Sequence, residues 1–382
     1  MKKLLLILLC LPLLFTTCKK EEEEAPIITA IGQSWEKKFG GDDSEYAHDV
    51  QQTTDGGYIV CGRYNNGALL FKTDSQGDSL WSQVFNVSGN GQAESVQQTA
   101  DGGYIVCGWG GSNSSYNDVW LIKTDLMGNQ QWAKEFGGSD DERAYSVQQT
   151  FDGGYIITGS TQSFGNGSND LYLIKTDGNG DSLWAKIYGG ITSEWGYSVQ
   201  QTSDGGYIIG GTSSGDVWLI KTDSQGDSLW SETLGGSEFD QANSVQQTSD
   251  GGYIICGTTG NVIEGASDVL LIKTDSQGDS LWAKSLNGAQ GYSVQQTSDG
   301  GYIICGTQHA GLSYDVYLVK TDINGNVIWN TTFGEFSTRD KGFSVQQTAD
   351  GGYIICGQMQ ISDGGGGSQI DIYLIKTNSQ GI

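Results

Sequence analysis

Ser244–Trp282 reads SVQQTSDGGYIICGTTGNVIEGASDVLLIKTDSQGDSLW, and the stretch recurs with small edits from one end of the chain to the other. Its anchor Asp-Gly-Gly-Tyr begins at Asp55, Asp101, Asp152, Asp204, Asp250, Asp299 and Asp350, at spacings of 46, 51, 52, 46, 49 and 51 residues. Seven copies with a period near 50 mark a repeat architecture in which no unit buries its apolar face alone. Each copy offers four strand-like segments: a (SVQQT), b (GYIICGT), c (DVLLIKTD) and d (SLWAKSL). The a–b turn, Ser-Asp-Gly-Gly, and the c–d turn, Asp-Ser-Gln-Gly-Asp, are short and Gly-bearing, as hairpins require. Gly is abundant at 59 residues, Pro is scarce at 2, and helix-period apolar patterns are missing, so the class is all-β. Segments b and c are apolar on both faces, as in a sheet sandwiched between other sheets. Four antiparallel strands per repeat predict the blade of a β-propeller.

The ends of the chain decide how the ring closes. Strand d tryptophans stand at Trp35, Trp81, Trp132, Trp184, Trp230, Trp282 and Trp329; the first belongs to no preceding repeat, and the last repeat stops before its own. The segment from Trp35 to Phe39 therefore supplies the outer strand of the seventh blade. The expected domain, 32–382, is a closed seven-bladed ring without a free sheet edge.

Ahead of it, residues 1–17 carry Lys2 and Lys3, the apolar run Leu4 to Phe15, and Thr16 and Thr17 before Cys18. The run is too short for a permanent membrane span and reads as an export signal. Ending at a cysteine, it resembles a bacterial lipoprotein signal, which implies that Cys18 is lipidated. Residues 18–31 then form a tether opening on Lys-Lys-Glu-Glu-Glu-Glu, similar to the surface-export signal of Bacteroidota lipoproteins, which implies an outer-membrane, surface-exposed location with membrane contact through the lipid alone. Loss of residues 1–17 removes two lysines and no acids and moves the formal charge from −25 to −27. Such a surface repels phosphate backbones, so nucleic acid is not an expected partner. Cys61, Cys107, Cys256, Cys305 and Cys356 occupy one repeat position, which predicts separate buried thiols rather than disulfides.

The repeats resemble secreted bacterial propeller-repeat proteins whose copies read SVQQTxDGGYIxxG followed by LIKTDxxGxxxW. A more distant similarity links Asp275, Gly278 and Trp282 to the tryptophan-docking repeat of quinoprotein propellers. The spacing here is one residue shorter and the Thr-Gly-Lys of that motif is missing, so no quinone or other cofactor is expected.

The two faces of the ring differ in sequence. The a–b and c–d turns barely vary, whereas the b–c and d–a loops diverge in length and kind. Sites are commonly grafted on variable loops held by a rigid scaffold. The variable loops carry Tyr64, Trp109, Tyr116, Phe164, Trp195, Phe239, His309, Tyr314 and Phe336, the candidate ligand-binding residues for a protein, peptide or glycan. In strand a, one glutamine of each pair from Gln51/Gln52 to Gln346/Gln347 should face the central channel as a hydrated lining.

Catalytic and metal motifs are not found. His48 and His309 lie in different repeats, and no zinc spacing or nucleophile elbow occurs. Asp177, Asn179 and Asp181 imitate the start of an EF-hand loop, but hairpin turn chemistry explains them better. Asp118, Asp170, Asp216, Asp268, Asp315 and Asp371 each open strand c, with backbone hydrogen bonding as their expected role. Glu194, Glu238, Asp240, Glu264 and Asp340 stand outside the repeat pattern and are the acids a polysaccharide-cleaving enzyme would draw on. The expectation is a non-catalytic binding scaffold; the alternatives are a carbohydrate-active enzyme and a structural subunit of an envelope complex. Four Asp-Ser-Leu triplets, with Ser79, Ser182, Ser228 and Ser280, resemble Bacteroidota O-glycosylation acceptors.

Overall fold

The computed structural model describes residues 34–382 except 42, 88–90, 114–115, 262–265, 287, 311–312, 336–337 and 363–367. The export signal, Cys18, the tether, Phe336 and Glu264 lie outside the described residues. Seven sheets of four antiparallel strands make up a seven-bladed β-propeller, in which strand a is innermost and strand d outermost. Blades 1 to 6 span 45–85, 92–136, 142–188, 194–234, 240–286 and 289–333. Blade 7 takes strands a to c from Lys341–Gln347, Tyr353–Ser362 and Ser368–Thr377. Its strand d is Trp35–Phe39, running antiparallel to strand c with Trp35 opposite Lys376 and Phe39 opposite Ile372. The predicted closure is the observed one.

Strands b and c are buried on both faces because each blade is covered by two neighbours. The seam between blades 4 and 5 is typical. Ile208, Val217 and Leu219 pack on Ala242, Val245, Tyr253 and Ile255, with Trp230 and Leu234 closing the outer edge. Such burial contributes about 1.5–3 kcal/mol per large apolar side chain. The repeat cysteines are free and buried within these seams.

The repeat motif is a set of seam contacts. Each strand d tryptophan meets the Asp-Gly-Gly-Tyr tyrosine of the next blade, as Trp230 meets Tyr253 at 5.9 Å, and Trp35 meets Tyr58 at 5.7 Å across the closure. Its ring also covers the glycine of the next c–d turn, which explains why Asp-x-x-Gly recurs: a Cβ on Gly278 would lie 2.8 Å from the Trp230 ring. The Lys of Ile-Lys-Thr is buried and reaches the Asp of the a–b turn, as Lys221 Nζ does to Asp204 Oδ2 at 2.9 Å. Asp177 accepts the N–H groups of Asn179 and Asp181, both at 2.9 Å, as Asp275 accepts those of Gln277 and Asp279. This is turn chemistry, as expected.

The glutamine pairs do more than line the channel. The first of each pair does face it, from Gln51 round to Gln346. Its carbonyl oxygen also accepts the backbone N–H of the second glutamine in the following blade, as Gln200 does from Gln247 at 2.6 Å. The second glutamine accepts from the a–b turn of the preceding blade, as Gln247 does from Ser203 at 2.9 Å. Both patterns run round the closure, through Gln52 to Gln346 and Ala349 to Gln52. The Gln-Gln pair is thus a double staple between innermost strands, and its uniformity follows from satisfying buried backbone donors.

Candidate functional site

Strand a starts at a d–a loop, so its first residues stand at the loop-bearing end of the channel. The three residues before Ser-Val-Gln-Gln, which reads Asp-Val-Gln-Gln in blade 1, alternate sharply in kind. Ala47, Ala93, Ala144, Gly196, Ala242, Gly291 and Gly342 are small and turned into the seams; a Cβ on Gly196 would sit 2.3 Å from Thr158 Oγ1. On either side of this column the residues vary from blade to blade, with Gln three times in one column and Tyr three times in the other. One column is Tyr46, Gln92, Arg143, Trp195, Gln241, Gln290 and Lys341. The other is His48, Glu94, Tyr145, Tyr197, Asn243, Tyr292 and Phe343.

The second column lies on a β-bulge in every blade, where the register against strand b shifts by one residue, as between Ala144 and Ser146. A bulge leaves its extra residue unpaired and re-aims the side chain. The bulge residues of neighbouring blades meet one another. Tyr145 meets Tyr197 at 5.1 Å, Tyr292 meets Phe343 at 5.4 Å, and His48 meets Phe343 at 6.1 Å. His48 Nδ1 is 3.3 Å from Glu94 Oε2. Burial pushes the phenol of Tyr292 up to about 12 and raises that of Tyr145. These residues make an asymmetric, largely aromatic collar on a nearly symmetric ring.

The sequence candidates fall into two groups. Trp109, Trp195, His309 and Tyr314 are part-buried and built into this end. Trp109 Nε1 donates to Glu94 Oε1 at 2.8 Å, and the Arg143 guanidinium lies 4.6 Å above its ring. Trp195, on strand a itself, lines a pocket of about 190 Å³ with Asp141, Arg143, Tyr145, Ser160, Gln162 and Asn169. His309 and Tyr314 face each other at 4.8 Å across the blade 6 b–c hairpin, and burial lowers the imidazole pKa. Tyr64 packs on the blade 7/1 seam and donates to Asp43 Oδ2 at 3.3 Å. Tyr116, Phe164 and Phe239 are exposed on their loops; Phe164 leans on Tyr172. The collar and Arg143 were missed by a search confined to loops. The signal was the two variable columns just before Ser-Val-Gln-Gln.

One expectation needs correction. Glu194, Asp240 and Asp340 are not outside the repeat; with Glu45 and Glu142 they occupy one equivalent position at the start of strand a. Glu and Asp interchange there, and loops of different length precede it, which hides the column. Each faces the strand c aspartate of the previous blade: a Cβ on Gly189 would lie 2.1 Å from Asp170 Oδ1 and 2.6 Å from Glu194 Oε2. In blade 2 both partners are absent together, replaced by Gly67 and Gly91. The acids hold the turn backbone: Glu142 Oε2 accepts from Gly138 N–H at 2.8 Å and Asp240 Oδ2 from Gly236 N–H at 2.7 Å. Asp268, lacking its partner because Ala289 stands there, accepts from Gly288 at 2.8 Å. A lateral cleft of about 850 Å³ carries Glu238, Asp240, Asp268 and Lys284, but two of its three acids are committed to these backbone bonds.

Two sets of carboxylates give a pH prediction. Burial, with the facing acid adding to it, raises the pKa of Glu45, Asp118, Asp170 and Asp340. At the a–b turns burial pushes upward too, but bonds from Thr, Lys and Gly outweigh it and hold Asp101, Asp152 and Asp204 at about 2. Raised acids stabilise the fold when protonated, a contribution present below the ordinary carboxylate range and lost as pH rises through their folded pKa. Lowered acids contribute above that range and lose it as pH falls toward 2. The thermal midpoint should therefore rise as pH drops from 7 to about 4, then fall toward 2. Calorimetry across that range checks it, and Asp118→Asn with Asp170→Asn should flatten the upper limb.

No protein-family model matches the chain, and no curated protein does. Solved structures similar to it include YCF48 bound to D1 peptide, at 11% identity and a TM-score of 0.54, covering 90% of this chain and 94% of that one. Another is Sqt1 of Chaetomium thermophilum bound to the N-terminus of the ribosomal protein L10, at 11% identity and a TM-score of 0.50, covering 89% of this chain and 98% of that one. At these identities the likeness is one of fold, and the fold shared is the β-propeller.

Proposed function

We propose that this chain is a non-catalytic binding scaffold that takes a protein or peptide segment on the loop-bearing end of the ring. One observation carries the reading: the residues that break the repeat gather at the collar, the rim column and the loops of that end, while the opposite end repeats the same turns seven times. Selection for folding alone explains uniform staples and seams; it gives no reason for side chains that vary in kind and charge between blades at one end. Two similar propellers, YCF48 with its D1 peptide and Sqt1 with the N-terminus of ribosomal protein L10, support the choice of ligand class. The export signal and Cys18 extend the proposal to a lipid-anchored, surface-exposed protein of the outer membrane.

Photo-crosslinkers on opposite ends test this in intact cells. One replaces Tyr116, 52% exposed on a b–c loop; the other replaces Leu126, 61% exposed in a c–d turn. Adducts should form from position 116 and not from 126, and Cys18→Ala should release the protein from the membrane. Adducts from 126 alone would refute the assignment of the face.

A further inference from the structure

The chain has 45 acids, 17 lysines and three arginines, Arg63, Arg143 and Arg339. Every described lysine except Lys341 has a polar side-chain partner: seven reach a–b turn aspartates, Lys37, Lys134 and Lys186 reach c–d turn aspartates, Lys38 reaches Glu335, and Lys284 reaches Asn326. The four remaining cations all lie at the loop-bearing end, and all four sit over aromatic rings. Arg63 is 5.8 Å from the Tyr46 centroid, Arg143 is 4.6 Å from that of Trp109, and Arg339 and Lys341 are 5.7 and 5.9 Å from that of Tyr314.

Carboxylates stand nearby, yet the charges are kept apart. Asp43 is held by Tyr64 and Asn65, Glu94 by Trp109, and Asp141 by the backbone and side chain of Asn117. The one ion pair between the sets, Arg143 to Asp141, is at 4.0 Å, beyond hydrogen-bond length. A ring over the flat face of a guanidinium leaves its edge, a fork of N–H donors matched to a carboxylate, open to a ligand; Arg63 spends Nε on the Asn65 carbonyl at 2.5 Å and keeps its terminal N–H groups. Beside Arg143 that edge has somewhere to work: the 190 Å³ pocket lined by Trp195, Tyr145, Ser160, Gln162, Asn169 and Asp141, where Asp141 spends Oδ1 on Asn117 and a ligand carboxylate would compete with its Oδ2 for the guanidinium. Half-buried Lys341 adds a cation whose charged form is disfavoured first by desolvation and then by Arg339, a condition an incoming anion would relieve.

We infer that the loop-bearing end recognises an acidic peptide segment, with one Asp or Glu side chain seated in the Arg143–Trp195 pocket and further carboxylates on Arg63 and on the Arg339–Lys341 pair. The inference rests on the binding reading above and adds the chemistry of the ligand. The cations lie in blade 1, blade 3 and at the start of blade 7, and Trp109 bridges to blade 2. In blades 4 to 6 the equivalents of Arg143 are Trp195, Gln241 and Gln290, none of them a cation. An extended segment laid along the charged arc meets carboxylate-binding groups at several points.

The test is selection of phage-displayed random dodecapeptides on the full chain, followed by titration of the best synthetic peptide against variants whose circular dichroism matches the parent. Asp and Glu should be enriched, and raising NaCl from low to moderate ionic strength should weaken binding. Arg143→Gln should weaken it roughly 10- to 100-fold, the loss of a charged hydrogen-bonded pair. Arg143→Lys should not restore it, since an ammonium offers neither fork nor stacking plane. Enrichment of neutral or basic peptides that depend on Trp195 but not on Arg143 would overturn the acidic ligand and leave the binding face standing. Binding of polygalacturonate with no peptide selected would overturn it in favour of an anionic glycan. Peptides indifferent to both Arg143→Gln and Trp195→Ala would sink the inference and the face together.

Discussion

A chain lacking residues 1–41 should unfold roughly 10 °C below the parent and associate through its seventh blade. The deletion removes strand Trp35–Phe39 and nothing of the other six blades. It strips two aromatic rings from the seam between blades 7 and 1, where Trp35 meets Tyr58 and Phe39 lies 4.9 Å from Phe71. It also leaves Ser368–Thr377 as a free edge bearing Ile372 and Leu374. Burial of two such rings with their specific contacts contributes on the order of 5–8 kcal/mol. For a ring of this size that is a shift of about 10 °C, and an exposed apolar edge is a template for pairing with a second chain. The same residues joined after Ile382 should restore both properties, because Ser34 Oγ already donates to the Ile382 carbonyl at 2.6 Å. Melting curves and size-exclusion profiles of the truncated and permuted chains decide it; a truncated chain that melts with the parent would show that closure contributes nothing.

Gly278→Ala should cost about 2–5 kcal/mol, and Gly251→Ala only about 1–2, although both glycines have left-handed backbone, at φ +91° and +86°. A Cβ at 251 meets nothing within 4 Å, whereas one at 278 lies 2.8 and 2.9 Å from Trp230 ring atoms. Gly251→Ala has only the backbone penalty; Gly278→Ala also pushes the tryptophan out of the blade 4/5 seam. Denaturant titrations of the two variants measure the difference. Equal costs would mean that the tryptophan–glycine contact is not what ties neighbouring blades together.

The contrast also shows why so much of the fold was legible. Asp-Gly-Gly-Tyr and Asp-x-x-Gly-x-x-x-Trp are contacts written seven times, and repetition exposes which positions the architecture needs. Blade count, strand order and closure by Trp35–Phe39 could all be read from the spacing of those motifs. The glutamine pairs were placed correctly against the channel, but their bonds to neighbouring blades join residues about 50 positions apart and are invisible along the chain.

The proposed binding end was legible only in outline. The variable loops pointed to one end of the ring, and Trp109, Trp195, His309 and Tyr314 are built into that end. The collar from His48 to Phe343 was hidden because a bulge, not simple alternation, turns those side chains together, and a bulge is a property of two paired strands. The seam acids were hidden for the same reason, since Asp170 and Glu194 become neighbours only when two blades pack. By itself the sequence determined an all-β ring of seven blades and the end that varies, because local turn chemistry and apolar patterning repeat with the chain. Which cations lie over aromatic rings instead of in close hydrogen-bonded pairs with carboxylates, only the tertiary structure decided, because pairing depends on distances between residues that the chain keeps far apart.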